Sequence, residues 1–117
     1  DYVFFRYADV LLMKAEAILR GAAATNGQTA LSLVNQVRAV RTTSPAWTAV
    51  TLEDLYKERC REMAWECWHR NDMIRFGKFE GSWGFKTDAQ TFHRLFPIPA
   101  SAMVLNPKLK QNTGYPQ

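Results

Sequence analysis

Residues 51–76, TLEDLYKERCREMAWECWHRNDMIRF, decide the fold of this chain. Thr51 is followed three residues later by Asp54, and Glu53 lies between them. This is a capping-box-like start with acids where a helix dipole favours them. No Pro or Gly interrupts the run before Gly77, so the spacing predicts one helix over Thr51–Phe76, roughly 37 Å long at 1.5 Å per residue. Stepping the residues at 100° gathers Leu52, Leu55, Tyr56, Cys60, Met63, Cys67, Met73 and Ile74 into one apolar stripe. Arg59, Glu66 and Arg70 fall inside that stripe and Glu62 on its edge, whereas Lys57, Arg61, Asp72 and Arg75 point the other way. Charges on a buried face need partners, because an unpaired buried charge costs several kcal/mol, on the order of 3–5. Arg59 and Glu62 are spaced i,i+3, and Glu66 and Arg70 i,i+4 with the acid first, which is the favourable order on a helix. The pattern predicts a structural ion network of Arg59, Glu62, Glu66 and Arg70 inside a helical core, in preference to a catalytic acid–base pair or an anion site.

Working outward, Ala8, Leu11, Leu12, Ala15, Ile18 and Leu19 recur at helical spacing over Arg6–Arg20, with Gly21 as a C-terminal stop. Glu16, at the edge of that stripe, is placed to pair with Arg38. A small-residue loop over Ala22–Gln28 contains the turn dipeptide Asn26-Gly27. Thr29 then caps a second helix, Ala30 to about Arg41, whose apolar set is Ala30, Leu33, Val34, Val37 and Val40. Two amphipathic helices joined by a short loop read as an antiparallel hairpin of the tetratricopeptide kind. One such unit cannot bury both faces by itself. Asp1–Phe5 is β-prone and reads as an extended lead-in. After Gly77 the periodicity is lost. Lys78–Gln90 reads as an aromatic-pinned loop, Thr91–Phe96 as a short extended segment, and Ala100–Leu105 as a short helix closed by Asn106-Pro107.

Four of these stretches, in order, resemble the SusD/RagB family of outer-membrane nutrient-binding lipoproteins. Glu58-Arg59, Glu62, Glu66, Arg70, Asp72, Arg75 and Phe76-Gly77 match its charged block. Arg6–Ala17 (RYADVLLMKAEA) and Ala30–Arg41 (ALSLVNQVRAVR) match two of its helices. Phe96-Pro97-Ile98-Pro99 with Asn106–Tyr115 (NPKLKQNTGY) matches its C-terminal motifs. The resemblance implies a mainly α fold: a tetratricopeptide-like hairpin, a long helix and an irregular aromatic-rich C-terminal region. It further implies that residues 1–117 are the C-terminal domain of a larger surface lipoprotein of a Gram-negative bacterium. The lipidated cysteine that holds such a protein at the outer membrane would lie upstream. The implied activity is binding of a glycan or other nutrient and its delivery to a SusC-like TonB-dependent transporter, with this segment mainly a scaffold. The family's ligand residues lie in upstream segments, so none is carried over.

Composition agrees with a globular domain: 47% apolar, 22% charged, net charge +4. The Lys and Arg are dispersed rather than striped, which argues against a nucleic-acid surface. Residues 1–117 show neither the basic and apolar pattern of a signal peptide nor an apolar run of membrane-spanning length, so no span is expected within them. Cys60 and Cys67, two turns apart on a helix, would sit about 10.5 Å apart, too far for a disulfide. Neither His69 nor His93 stands at metal-ligand spacing from them, so no metal or cofactor is expected. No nucleophile–base arrangement emerges. Glu62 and Glu66 are a helical turn apart, a separation open to glycosidases, but neighbouring arginines should keep both ionised, so a glycoside hydrolase fragment is the weaker alternative and no catalytic residue is assigned. A helical-repeat interaction module without sugar binding is the other. Trp65 and Trp68 point away from the apolar stripe and are the candidates for stacking on a ligand, against the plainer role of packing on neighbouring chain.

Overall fold

The computed structural model describes residues 4–116. It is mainly helical: α1 Tyr7–Leu19, α2 Ala30–Ala39, α3 Leu52–Glu62, α4 His69–Arg75, a 3₁₀ turn Thr91–Arg94, and α5 Ala100–Leu105. Among the described residues there is no strand beyond one isolated bridge between Trp83 and Lys86. The chain forms two compact units, residues 1–72 and residues 73–117.

In the first unit α1 packs on both α2 and α3. The core is Leu11, Leu12 and Ala15 from α1, Ala30, Leu33, Val34 and Val37 from α2, and Leu55 with Met63 from the α3 segment. Their i, i+3, i+4 spacing is the reason these segments become helices that bury one side. The Thr51 hydroxyl accepts from the Asp54 N–H at 3.1 Å, and the Asp54 carboxylate accepts from the Thr51 N–H at 3.0 Å. Thr29 and Ser32 form the same reciprocal box at α2. α1 closes as a Schellman motif, with the Gly21 N–H donating to the Ile18 carbonyl and the Ala22 N–H to that of Ala17.

The expected 26-residue helix is instead two helices. The chain leaves helical geometry at Met63–Trp68 and resumes it at His69. Trp65 and Cys67 lie in the left-handed region, at φ 66° and 63°. Each such non-glycine residue costs on the order of 1–3 kcal/mol, so the break persists only because something beyond it is gained. The N-terminal lead-in falls largely outside the described residues; Phe4 and Phe5 are irregular.

In the second unit the segment expected to be extended at Thr91–Phe96 begins as the 3₁₀ turn, while α5 has the expected bounds. The C-terminal motifs hold one another. The Gln111 side chain accepts from the Ile98 N–H at 2.8 Å and donates to the Ile98 carbonyl at 3.0 Å, as a neighbouring strand would. Asn112 Nδ2 donates to the Phe96 carbonyl and the Tyr115 hydroxyl to that of Leu95, both at 2.8 Å. Pro97 and Pro99 have no N–H to place in a ladder, so side chains satisfy the carbonyls around them.

Candidate functional site: a buried ion-pair lattice and the bend beside it

The charged residues of α3 do converge, but on partners distant in sequence. Arg59 is 1% exposed. Its Nε donates to Asp72 Oδ2 at 2.9 Å and its Nη1 to Asp9 Oδ1 at 2.8 Å, and both aspartates are buried. Glu62, the expected partner, belongs to a second cluster. It receives Arg6 Nη1 at 2.7 Å and Arg41 Nε at 2.9 Å, while Arg6 Nη2 also reaches the Glu62 carbonyl at 2.7 Å. Glu66 is held by Arg6 Nε at 2.8 Å and not by Arg70. The cause is the break: Glu66 lies in the turn and Arg70 in α4, so the i,i+4 register no longer applies. In a third cluster the buried Glu58 receives Arg38 at 3.0 Å and Arg61 at 2.5 Å. Arg38 therefore turns to Glu58 rather than to Glu16, which pairs with Arg20 at 2.9 Å. Arg38 also stacks over Trp47, 4.2 Å from the ring centroid.

The break explains how Asp72 reaches Arg59. Thirteen residues of continuous helix would separate them by about 20 Å along the axis and turn them to different faces. The turn at Met63–Trp68 folds α4 back so that their side chains bond directly.

Electrostatics follow from this wiring. Burial works to raise the Glu62 carboxyl, but hydrogen bonds from Arg41 and Arg6 outweigh it and hold the group below the ordinary glutamate range. Hydrogen bonds to Glu66 and Glu62 raise Arg6 in turn. Asp9 Oδ2 is buried without a hydrogen-bond partner, as is Arg38 Nε.

Beside the triad a cavity of about 390 Å³ is lined by Arg59, Cys60, Met63, Ala64, Trp65, Cys67, His69 and Asp72. Cys60 Sγ stands 3.6 Å from His69 Nδ1, a proximity the continuous-helix spacing did not suggest. Burial pushes the Cys60 thiol up. Burial first, and then the hydrogen bond with Cys60, push the Tyr56 phenol up to about 12. A thiol shifted in that direction is a poor nucleophile, since the thiolate is the reactive form. Among the described residues no three His, Cys, Asp or Glu side chains are arranged to hold a metal ion.

The two tryptophans of the bend differ. Trp65 is 102% exposed, and Trp68 is half-buried with its ring 6.2 Å from that of Phe5. Sequence spacing missed Arg6, Asp9, Arg38, Arg41, Glu58, Arg61 and Asp72 as members of the lattice. One signal was available for Asp9. It lies three residues before Leu12 and seven before Glu16, on the buried side of α1.

A helical hairpin and a bent third segment, cross-linked by arginine–carboxylate pairs, define a mainly helical protein segment. The chain belongs to the SusD family, whose model matches residues 1–115. It is 32% identical over 124 residues to the starch-binding protein SusD of Bacteroides thetaiotaomicron, an overlap of 98% of this chain and 22% of that protein. It is also similar to two SusD-like proteins of Formosa agariphila, at 33% identity over 97% of this chain and 24% of the relative, and at 32% over 98% and 25%. The chain thus spans about a quarter of the length of these relatives.

Proposed function

We propose that this chain is the C-terminal scaffold of a protein that binds a glycan or another nutrient at the bacterial outer membrane and passes it to a SusC-like TonB-dependent transporter. Membership of the SusD family and the name of the starch-binding relative support the ligand class. A lipid anchor on an upstream segment would hold the protein to the membrane; no helix among the described residues is long and apolar enough to cross one.

The observation that carries the scaffold role is the use of Arg59, Glu58, Glu62 and Glu66 as partners for one another's elements. α1 is tied to α3 by Arg6–Glu62, and to α4 through Asp9–Arg59–Asp72; α2 is tied to α3 by Arg38–Glu58 and Arg41–Glu62. A general acid needs a raised carboxyl, and Glu62 is shifted the other way. That direction weighs against the glycosidase alternative and supports a protein that binds without catalysing.

Isothermal titration with starch oligosaccharides and a panel of other glycans tests the reading. The full-length parent is expected to bind at least one, and this chain alone to bind none measurably. Micromolar binding by the chain alone, abolished by Trp65→Ala or Trp68→Ala, would overturn the scaffold role and make the bend a stacking platform.

A further inference from the structure

The Thr51–Arg75 region presents a conflict between local preference and tertiary structure. Its apolar spacing runs through residues 63–68 without a Gly or Pro, yet the backbone there leaves the helix and places Trp65 and Cys67 in left-handed conformations. A helix usually breaks at Pro, Gly or an inserted group; neither Pro nor Gly is present, and the inserted group is Arg6 from outside the segment, whose Nη2 donates to the Glu62 carbonyl at 2.7 Å. The bend therefore has no cause in its own residues. Its cause lies at its two ends, where Asp72 folds back onto Arg59 at 2.9 Å and Arg6 grips Glu66 at 2.8 Å, both from outside the turn.

We propose that the Arg59–Asp72 pair is the latch of a two-state element: latched, residues 63–68 form the turn; released, they join α3 and α4 into one helix. Release exchanges two strained residues for helical hydrogen bonds, at the expense of the buried Arg59–Asp72 pair and of the Arg6 contacts to Glu66 and the Glu62 carbonyl. Opposed terms of this kind leave two arrangements of one segment close in free energy. Asp9 is the built-in alternative partner. It already contacts Arg59 Nη1, and its Oδ2 has no hydrogen-bond partner, so the guanidinium keeps one carboxylate when Asp72 departs. Released, the segment would reorient the indole of Trp65 and withdraw Trp68 from Phe5, 6.2 Å away.

The chain contains four tryptophans, so incorporation of 5-fluorotryptophan gives a fluorine resonance for each. In Asp72→Asn the Trp65 and Trp68 resonances are expected to move, that of Trp47 to stay, and the far-UV helical signal to rise by the equivalent of the six residues 63–68. Adding Cys67→Gly, which accepts the left-handed backbone, is expected to return both resonances towards their original positions. A folded Asp72→Asn protein with unmoved Trp65 and Trp68 signals and no gain in helix would overturn the proposal. If Asp72→Asn does not fold, the Trp65→Ala, Cys67→Ala double variant decides, since alanine favours helix with the latch intact. A second Trp68 resonance supports the two-state element, and a single unmoved one overturns it.

Discussion

Arg59 illustrates how strongly burial sets the consequence of a single substitution. Removing it leaves Asp9 and Asp72 as buried charges without their cation, so Arg59→Ala is expected to cost about 3–5 kcal/mol of unfolding free energy. Arg59→Lys should recover only part of this, because a point charge cannot reach two carboxylates with separate fixed donors as a guanidinium does. Glu66, whose side chain is 30% exposed, should behave differently: Glu66→Ala is expected to cost under about 1 kcal/mol. Urea denaturation of the three variants checks the order, and equal losses would contradict the wiring. Glu62 adds a pH dependence. Its folded-state carboxyl is depressed by Arg41 and Arg6 against the opposing effect of burial. A depressed group contributes stability above its unfolded value, about 4.3, and loses that contribution as pH falls through the folded value. The chain should therefore lose stability on acidification below the ordinary glutamate range, and Glu62→Gln, less stable at neutral pH, should show a shallower acid limb in thermal melts at stepped pH.

At the scale of elements, what was legible in the sequence was local. Thr51 with Asp54, the apolar spacing of Ala30–Arg41 and the bounds of α5 each depend on residues within a turn or two, and each forms as the spacing predicts. What was not legible was long-range. Arg59 finds Asp9 fifty positions away, and nothing within residues 51–76 announces a break imposed by partners elsewhere. The same error placed Glu66 with Arg70: Arg59, Glu62 and Glu66 were readable as charges in need of partners, but those partners, Arg6, Asp9, Arg41 and Asp72, lie outside the reach of spacing along one continuous helix. The aromatic C-terminal segment was illegible for another reason, since its order comes from Gln111, Asn112 and Tyr115 bonding to backbone rather than from any periodicity. Two predictions belong here. Thr51→Ala should cost about 1 kcal/mol through loss of the α3 cap. Cys67→Gly should instead stabilise by about 0.5–1 kcal/mol, because relief of left-handed strain exceeds the entropy of the added glycine. Differential scanning calorimetry separates the two by sign. In the second unit, a Cβ at Gly114 would meet Phe92 at 2.4 Å, against the ring that Tyr115 packs edge-on at 5.0 Å. That contact explains why glycine stands there.

For the whole molecule, the distribution of apolar surface matters more than its amount. α1 buries Leu11, Leu12 and Ala15 on one side, yet Val10 and Met13 stand exposed on the other and Tyr7 is exposed in its first turn, with Phe4 and Phe5 just before it and Val40 just after α2. A helix apolar on both sides belongs in an interior, and exposed apolar patches of this kind mark surfaces that meet another partner. The ion lattice does not cover this surface, since its arginines and carboxylates are spent on holding α1, α2 and α3 together. The proposed scaffold role predicts this division: polar bonds fixing the segment's own helices, apolar residues left to meet a partner surface. The expected outcome is that this chain alone binds a hydrophobic dye and associates with increasing concentration, as read by light scattering. Tyr7→Lys with Val10→Lys should reduce both without lowering the melting temperature, because neither side chain is buried. A non-associating monomer with no dye binding would show that the exposed face of α1 needs no partner, and would remove the main support at this scale for a segment that braces a larger protein.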